Sequence, residues 1–366
     1  MKGHFDRVLL VIAGILVLFG FFMLASAFLG PTAQKAETFW NALLRQIIIG
    51  LVGGGTLLFI ASRIPYQFWK KISLPLFLLT FFLTILVFFP IGIEHGGARR
   101  WISLGILTLQ PSEFLKFGFL IYFSAWLASR KEEVSSFKFG LFPFLIMIAF
   151  VGVLLVMEPN ISTLLVIAFT SLSLFYIAGG RFKQIAAIAF IGAILLVAVV
   201  LLYPNSYLKN RITVFLNPEH DPQGISYQLN QSLIAFGSGG LFGKGFGMSI
   251  QKFNYLPEPT GDSIFAVIGE EFGFLGTSGL IGLFLLFLYR GLLVASRAPD
   301  NFGRLLGSGI AILIISQSFM NMAAMTGVFP LTGLPLLFIS QGGSALALTL
   351  AEVGVLLNIS KYQQIK

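Results

Sequence analysis

The chain has 366 residues, of which 56% are hydrophobic and 11% charged, with a mean hydropathy of +0.89. A soluble domain carries about 25% charged residues, so this composition excludes an ordinary soluble protein and places the chain in a bilayer. It contains no cysteine, which excludes disulfides, thiolate metal sites and a cysteine nucleophile; its net charge of +9 has to be read from position.

Ten apolar spans are predicted, near 8–29, 41–62, 72–91, 111–128, 139–157, 160–178, 185–203, 264–289, 305–325 and 335–358. Each is about 18 residues or longer, as a hydrocarbon core of about 30 Å requires. With the N-terminus in the cytoplasm, 15 Lys and Arg fall on the cytoplasmic side. Seven fall opposite: Lys35, Arg99, Arg100, Lys209, Arg211, Lys244 and Lys252. This bias predicts that both termini are cytoplasmic. The basic excess is thus mostly topology, and no nucleic-acid partner is expected. Behind the basic start, Ala25-Ser26-Ala27 resembles a signal-peptidase site. The apolar run from Val8 to Leu29 exceeds a signal peptide's core, so the first span is expected to be retained.

Two connections opposite the cytoplasm are long. The first, Gly92 to Gln110, holds Glu94, His95 and Gly96-Gly97-Ala98-Arg99-Arg100-Trp101. It feeds a span opened by Pro111, where the missing N–H costs nothing at the first helical position. Glu113 and Lys116 then lie at i and i+3 on one face. An ionisable residue inside a span is a functional candidate; a local pair that only positions the helix fits the same spacing. The tight turn Glu158-Pro159-Asn160 follows two spans later.

The second long connection, 204–261, has aromatics, paired glycines and amides and does not have a disordered composition. Short helices and half-inserted segments packed over the bundle are expected there. Its run Gly237-Ser238-Gly239-Gly240-Leu241-Phe242-Gly243-Lys244-Gly245-Phe246-Gly247 is not a Walker loop. Ser238 stands where the first glycine belongs, and Gly245 where Ser or Thr would bind magnesium. Tight turns, or an anion cradled by backbone N–H groups, remain open readings.

Asp262 closes this loop and precedes an apolar helix, the position of an N-cap. Capping would lower its pKa, keeping it ionised and able to act as a base. Glu270 and Glu271, two turns further, must face the bundle, a partner group or water. His4, His95 and His220 show no metal-ligand spacing, and there is no Gly-x-Ser-x-Gly elbow. No internal repeat is visible, which weighs against an inverted-repeat transporter.

The chain resembles the SEDS family, the shape, elongation, division and sporulation proteins FtsW and RodA, along nearly its whole length. Asp6-Arg7, Met23-Leu24-Ala25-Ser26-Ala27, Gly97-Ala98-Arg99-Arg100-Trp101-Ile102 and Gln110-Pro111-Ser112-Glu113-Phe114-Leu115-Lys116 carry the first half of the likeness. Tyr227-Gln228, Gln231-Ser232, Gly243 to Ser249, Gln251-Lys252, Tyr255-Leu256-Pro257-Glu258 and Asp262 continue it. Ile264-Phe265-Ala266, Gly269-Glu270-Glu271, Asn321, Gly327, Pro330, Thr332-Gly333-Leu334-Pro335 and Ser340-Gln341-Gly342-Gly343-Ser344 close it. Three places depart from the family pattern: Gln341 where Tyr is usual, Pro259-Thr260-Gly261 where Ala-His-Thr is frequent, and Glu158-Pro159-Asn160 where a Gln-Pro-Asp-like triplet is common. The opening Asp6-Arg7 and the Met23–Ala27 run are more similar to FtsW than to RodA.

The resemblance implies an all-α, polytopic membrane helix bundle of about ten transmembrane helices. Residues 1–366 would form a single domain, with 204–261 its large extracytoplasmic loop. It implies a multi-pass protein of the bacterial plasma membrane. Its activity would be peptidoglycan glycosyl transfer: polymerising lipid II into β-1,4-linked glycan at the outer face, for division or elongation. Asp262 matches the family's essential loop aspartate and is assigned as catalytic base. Lys116, Glu113, Arg100, Arg211, Gln228, Lys244, Lys252 and Ser344 are the expected substrate-binding residues, with the cations meeting the leaving pyrophosphate. A divalent cation, magnesium or manganese, is the candidate cofactor, and no organic cofactor is expected. The implied partners are lipid II and the growing glycan chain, membrane lipid and a class B penicillin-binding protein acting as transpeptidase. A flippase of lipid-linked precursors and a non-catalytic scaffold for a transpeptidase are the rival readings. Asp262 discriminates, since a flippase needs no lone carboxylate at the outer rim.

Overall fold

The structure, a computed structural model, describes residues 5–32, 40, 43–95, 98–104, 107–202, 207–219, 221 and 223–363. Among them the backbone is mostly helical, as lipid demands. With no water to satisfy N–H and C=O groups, only structures that close their own hydrogen bonds can cross. Helix α1 is Arg7–Thr32. Helix α2 runs Leu43–Arg63 and is π-wound over Gln46–Gly53. It ends at Ile64, which is extended, as a residue before proline prefers. Helices α3 (Tyr66–Lys71) and α4 (Ser73–Ile85) follow.

Strands β1 (Gly92–His95), β2 (Ala98–Leu104) and β3 (Leu107–Leu109) form a small antiparallel sheet in the order β1-β2-β3. Ile93 opposes Trp101, and Ser103 opposes Thr108. The chain then builds α5 (Pro111–Arg130), α6 (Phe142–Met157), α7 (Ile161–Ile177) and α8 (Phe182–Leu202). Two short helices follow, α9 (Tyr207–Leu216) and α10 (Tyr227–Gly239). The last three are α11 (Ile264–Ser296), α12 (Asn301–Met325) and α13 (Gly343–Ser360).

Six helices among the described residues are long and apolar enough to cross a membrane: α1, α2, Phe137–Met157, α11, α12 and α13. Ser73–Phe88, Ile161–Ile177 and Phe182–Gly192 are shorter apolar helices. Two expectations need correction. The final span does not begin at 335; residues 331–342 are irregular, and the helix starts at Gly343. Hydropathy cannot separate a helix from an apolar segment buried inside the bundle. The predicted span 264–289 is longer, reaching Ser296, and is broken at Gly273, whose φ is 64° and ψ −161°. The sheet in 92–110 has no signature in the sequence, because its strands are short and interrupted by paired arginines. The short helices expected in 204–261 are present as α9 and α10.

Helices α12 and α13 sit innermost. α13 packs along α2, while α12 touches α5, α7 and α11. Lipid tails are as apolar as leucine, so helices associate here through close packing and not through a hydrophobic drive. Gly354 shows this: an added Cβ would lie 2.5 Å from the Leu58 carbonyl oxygen and 2.9 Å from the Ala61 methyl. Gly354→Leu is therefore expected to destabilise by about 1–3 kcal/mol. An unchanged Tm in detergent would contradict the α2–α13 contact.

Candidate active site around Asp262

Asp262 is half-buried between the long connection and α11. The N-cap position of α11 is Ser263, and no side chain caps the helix. The turn holding Gly261 N on the Glu258 carbonyl (2.9 Å) aims the aspartate elsewhere. Its Oδ1 accepts a 3.1 Å hydrogen bond from Gln228 Nε2 on α10, and the same amide donates to Ser263 Oγ at 3.0 Å. The expected cap is thus replaced by a side-chain amide, and the expected pKa direction reverses. Burial pushes the Asp262 carboxyl up to about 6, Glu258 adds to the rise, and Gln228 and Arg211 oppose it.

The irregular segment 331–342 straps this turn in place. Asn321 Nδ2 on α12 donates to the Asp262 carbonyl (2.7 Å) and to the Leu334 carbonyl (2.8 Å). Ser340 Oγ donates to the Gly261 carbonyl at 2.7 Å. Gln341 N donates to the Thr260 carbonyl, and Thr260 Oγ1 to Gln341 Oε1, both at 2.7 Å. Two departures from the family pattern, at 260 and 341, therefore face each other. Gly333 adopts φ +65°, and a Cβ there would stand 3.3 Å from Arg211 Nη2 and 3.9 Å from Asp262 Oδ2. The missing side chain leaves Arg211 and Asp262 flanking one small space. Arg211 also donates to the Leu331 carbonyl.

A cavity of about 140 Å³ adjoins this space, its wall including Arg100, Asn160, Ser162, Arg211, Leu331 and Thr332. Ligand pockets span about 300–1,000 Å³, so this one fits a charged head and not a whole substrate. Arg100 reaches it from β2, donating to the Glu158 carbonyl at 3.4 Å and to the Pro159 carbonyl. Asn160 Nδ2 donates to Ser112 Oγ (3.0 Å) and Ser162 Oγ to the Thr332 carbonyl (2.7 Å). Behind the wall Glu158 is fully buried, and burial raises its carboxyl to about 8 against the pull of Asn160 and Arg100. A larger, open depression runs along Tyr227, Asn230, Gln231 and Ile234. Its lining does not include Asp262, Gln228, Arg211 or Arg100.

The lysines lie elsewhere. Lys116 is 2% exposed, its Nζ 2.8 Å from Glu113 Oε1 and donating to Gln317 Oε1. Gln317 Nε2 in turn donates to the Pro335 carbonyl at 3.3 Å. Lys116 thus supports the strap from below and does not line the cavity. Lys244 pairs with Glu270 at 2.6 Å. Lys252, fully buried, donates to Glu271 Oε1, Ser26 Oγ and the Gly247 carbonyl, each at 2.8 Å. As placed, Lys252 spends its three N–H groups on protein, where a phosphate contact was expected. Ser344 is buried in the first turn of α13 and does not line the cavity. The structure therefore gathers Asp262, Gln228, Arg211 and Arg100, and holds Lys116, Glu113, Lys244, Lys252 and Ser344 apart from them. Asn321, Gly333 and Ser340 belong to the site. They stood in the matched motifs without a role, because a backbone strap leaves no periodic signature.

The family profile FTSW_RODA_SPOVE, described as cell cycle protein, matches residues 6–365. The chain is 37% identical to stage V sporulation protein E of Bacillus subtilis, covering 98% of each. It is 40% identical to a probable peptidoglycan glycosyltransferase FtsW of Geobacter sp., covering 97% of this chain and 96% of the relative. Its fold is similar to a chain of a solved peptidoglycan synthase complex that coordinates polymerization and crosslinking, with TM-score 0.81, 27% identity and 98% of each chain covered. It is also similar to the rod shape determining protein RodA of Thermus thermophilus, with TM-score 0.72, 27% identity and 98% of each chain covered.

The buried pairing gives a test of its own. Lys252→Met strands the Glu271 carboxylate and is expected to cost about 3–5 kcal/mol. Lys252→Met combined with Glu271→Gln should recover most of that loss in detergent melting curves. If the double variant melts no higher than the single, the two residues do not act as a pair.

Proposed function

Because the chain belongs to the FtsW/RodA/SpoVE family of cell cycle proteins, we propose that it is a peptidoglycan glycosyltransferase in which Asp262 is the general base. The observation that carries this reading is the placement of Asp262 across Gly333 from Arg211, beside a cavity walled by a second arginine. Here the substrate is lipid II and the site faces the outer leaflet, with both termini in the cytoplasm, as the charge bias suggests. The 4-hydroxyl oxygen of the acceptor sugar attacks the anomeric carbon of the donor. Its proton passes to Asp262, the bond from that carbon to the diphosphate oxygen breaks, and the lipid diphosphate leaves. Inversion at the carbon gives a β-1,4 link. The diphosphate carries its own charge away, so no second acid is needed, unlike glycoside hydrolysis.

Arg100 and Arg211 stabilise the departing charge, and Asn160 and Ser162 offer polar contacts beside them. Gln228 and Arg211 favour the ionised aspartate, so a carboxyl raised to about 6 is still mostly a base at neutral pH. No three His, Cys, Asp or Glu side chains converge among the described residues. A magnesium or manganese ion bound with the substrate would take its oxygens chiefly from the phosphates, with one or two carboxylates beside them. The similarity to a chain of a polymerising and crosslinking complex supports a crosslinking partner, a class B penicillin-binding protein, for this chain too.

Asp262→Asn should abolish polymerisation of lipid II by purified protein while leaving Tm unchanged; retained polymerisation would falsify the assignment. A base must be ionised, so wild-type activity should fall as pH drops through about 6. Gln228→Leu removes a hydrogen bond to the charged form and should move that acid limb upward. Glu258→Gln removes a nearby negative charge and should move it downward. A limb indifferent to both changes would mean that another group titrates.

A further inference from the structure

The break in α11 creates a demand that the long connection meets. At Gly273 the helix leaves helical geometry, so Phe274 N and Leu275 N lose their helical acceptors. They donate instead to the Gly240 and Leu241 carbonyls, at 2.9 and 3.1 Å. In return Lys244 N and Gly245 N donate to the Glu270 and Glu271 carbonyls, at 2.9 and 3.0 Å. Gly243 admits this approach: it has φ +80°, and a Cβ there would collide with the Glu271 carbonyl and Phe272 N. Residues 239–245 are thus sewn to α11 at the level of 270–275.

That level falls in the outer part of the hydrocarbon layer. Counting back about 20 residues from Arg290, the span of a hydrocarbon core, reaches Glu270. Phe272 agrees, its ring lying 5.8 Å from that of Phe19, near the middle of α1. The loop's Phe246 lies 6.4 Å from Phe272 on another side. Irregular backbone is tolerated at such depth only where its polar groups are satisfied, and the loop's contacts with the two α11 carboxylates answer part of that demand, Glu271 Oε2 and Gln251 Oε1 being left without a partner. Glu270 accepts from Lys244 Nζ, Ser249 Oγ, Ile250 N and Gln251 N, and Glu271 from Lys252 Nζ and Ser26 Oγ.

The outward face is apolar. Leu241, Phe242, Phe246, Met248 and Ile250 are all exposed, Phe242 by 78%. They continue the exposed belt of α11, where Phe274 is 62% exposed. A soluble surface rarely shows such a patch; in lipid it carries no penalty. We propose that residues 239–250 form a re-entrant wedge that dips into the bilayer beside α11 and seats Leu241, Phe242, Phe246 and Met248 among acyl chains. The ion pairs behind the wedge neutralise its lysines, and residues 251–260 lead from it to Asp262.

The chain has no cysteine, so one introduced thiol reports one place. Phe242→Cys and Met248→Cys, each carrying an environment-sensitive fluorophore, are compared in phosphatidylcholine nanodiscs with Phe274→Cys as lipid reference and Gln223→Cys as water reference. Quenching by acyl-chain spin-labelled phosphatidylcholine should match Phe274→Cys and exceed Gln223→Cys several-fold, with little quenching by aqueous iodide. Iodide quenching like that of Gln223→Cys at both positions overturns the wedge. So does a blue-shifted emission that neither quencher reaches, which would mean that protein, such as a second copy, covers the patch. Two positions guard against one variant that misfolds, and monodisperse elution qualifies each.

Discussion

Every polar group at membrane depth needs a partner, and that constraint shapes the whole site. A buried ion leaves water at a cost of several kcal/mol. In this molecule three lysines and their glutamates answer it within the described residues: Lys116 with Glu113, Lys244 with Glu270 and Lys252 with Glu271. Each pair also fixes a segment that is not helical. Lys116 acts through Gln317 on the strap at Pro335, and the other two pairs hold the connection before Asp262. The charges serve as fasteners for irregular backbone.

Irregular backbone is what the chemistry requires. A helix would turn the Asp262 carboxylate onto its own first amides, where it would be held as a cap. The turn at Gly261, strapped by Asn321 and Ser340, points it at Gln228 and Arg211 instead. One neutral donor and one cation leave a carboxylate that burial has made more basic than an ordinary aspartate. A cap would have made it less so. The raised basicity suits proton removal from a sugar hydroxyl, since a base gains strength as its pKa nears the working pH.

The helices were legible because hydropathy reports burial in lipid directly, and the motif around Asp262 is where the proposed site is centred. The orientation of Asp262 was not, because an Asp before an apolar helix has the same local sequence whether it caps or turns away. Residues 335–342 read as membrane span for a related reason: Leu336, Leu337, Phe338 and Ile339 are buried, but in an irregular strap whose amides are met by Ser340, Gln46 and Thr260. Tertiary hydrogen bonds of this kind leave no period in the sequence. The partners of the lysines were equally hidden. A cation near an outer loop suggests an anionic ligand, yet the anions that Lys244 and Lys252 meet lie on α11, 26 and 19 residues away.

Arginine and lysine therefore divide the work. The cavity is walled by Arg100 and Arg211, each already anchored by a backbone carbonyl. A guanidinium has five N–H donors in a rigid fork, so it can hold the protein with some and still face a diphosphate with others. Lysine has three, and Lys252 commits all of them to protein. An ammonium in the cavity would have to choose between order and substrate. In the proposed reaction the guanidinium is the group suited to both, and the rim of the site can then be made of loops.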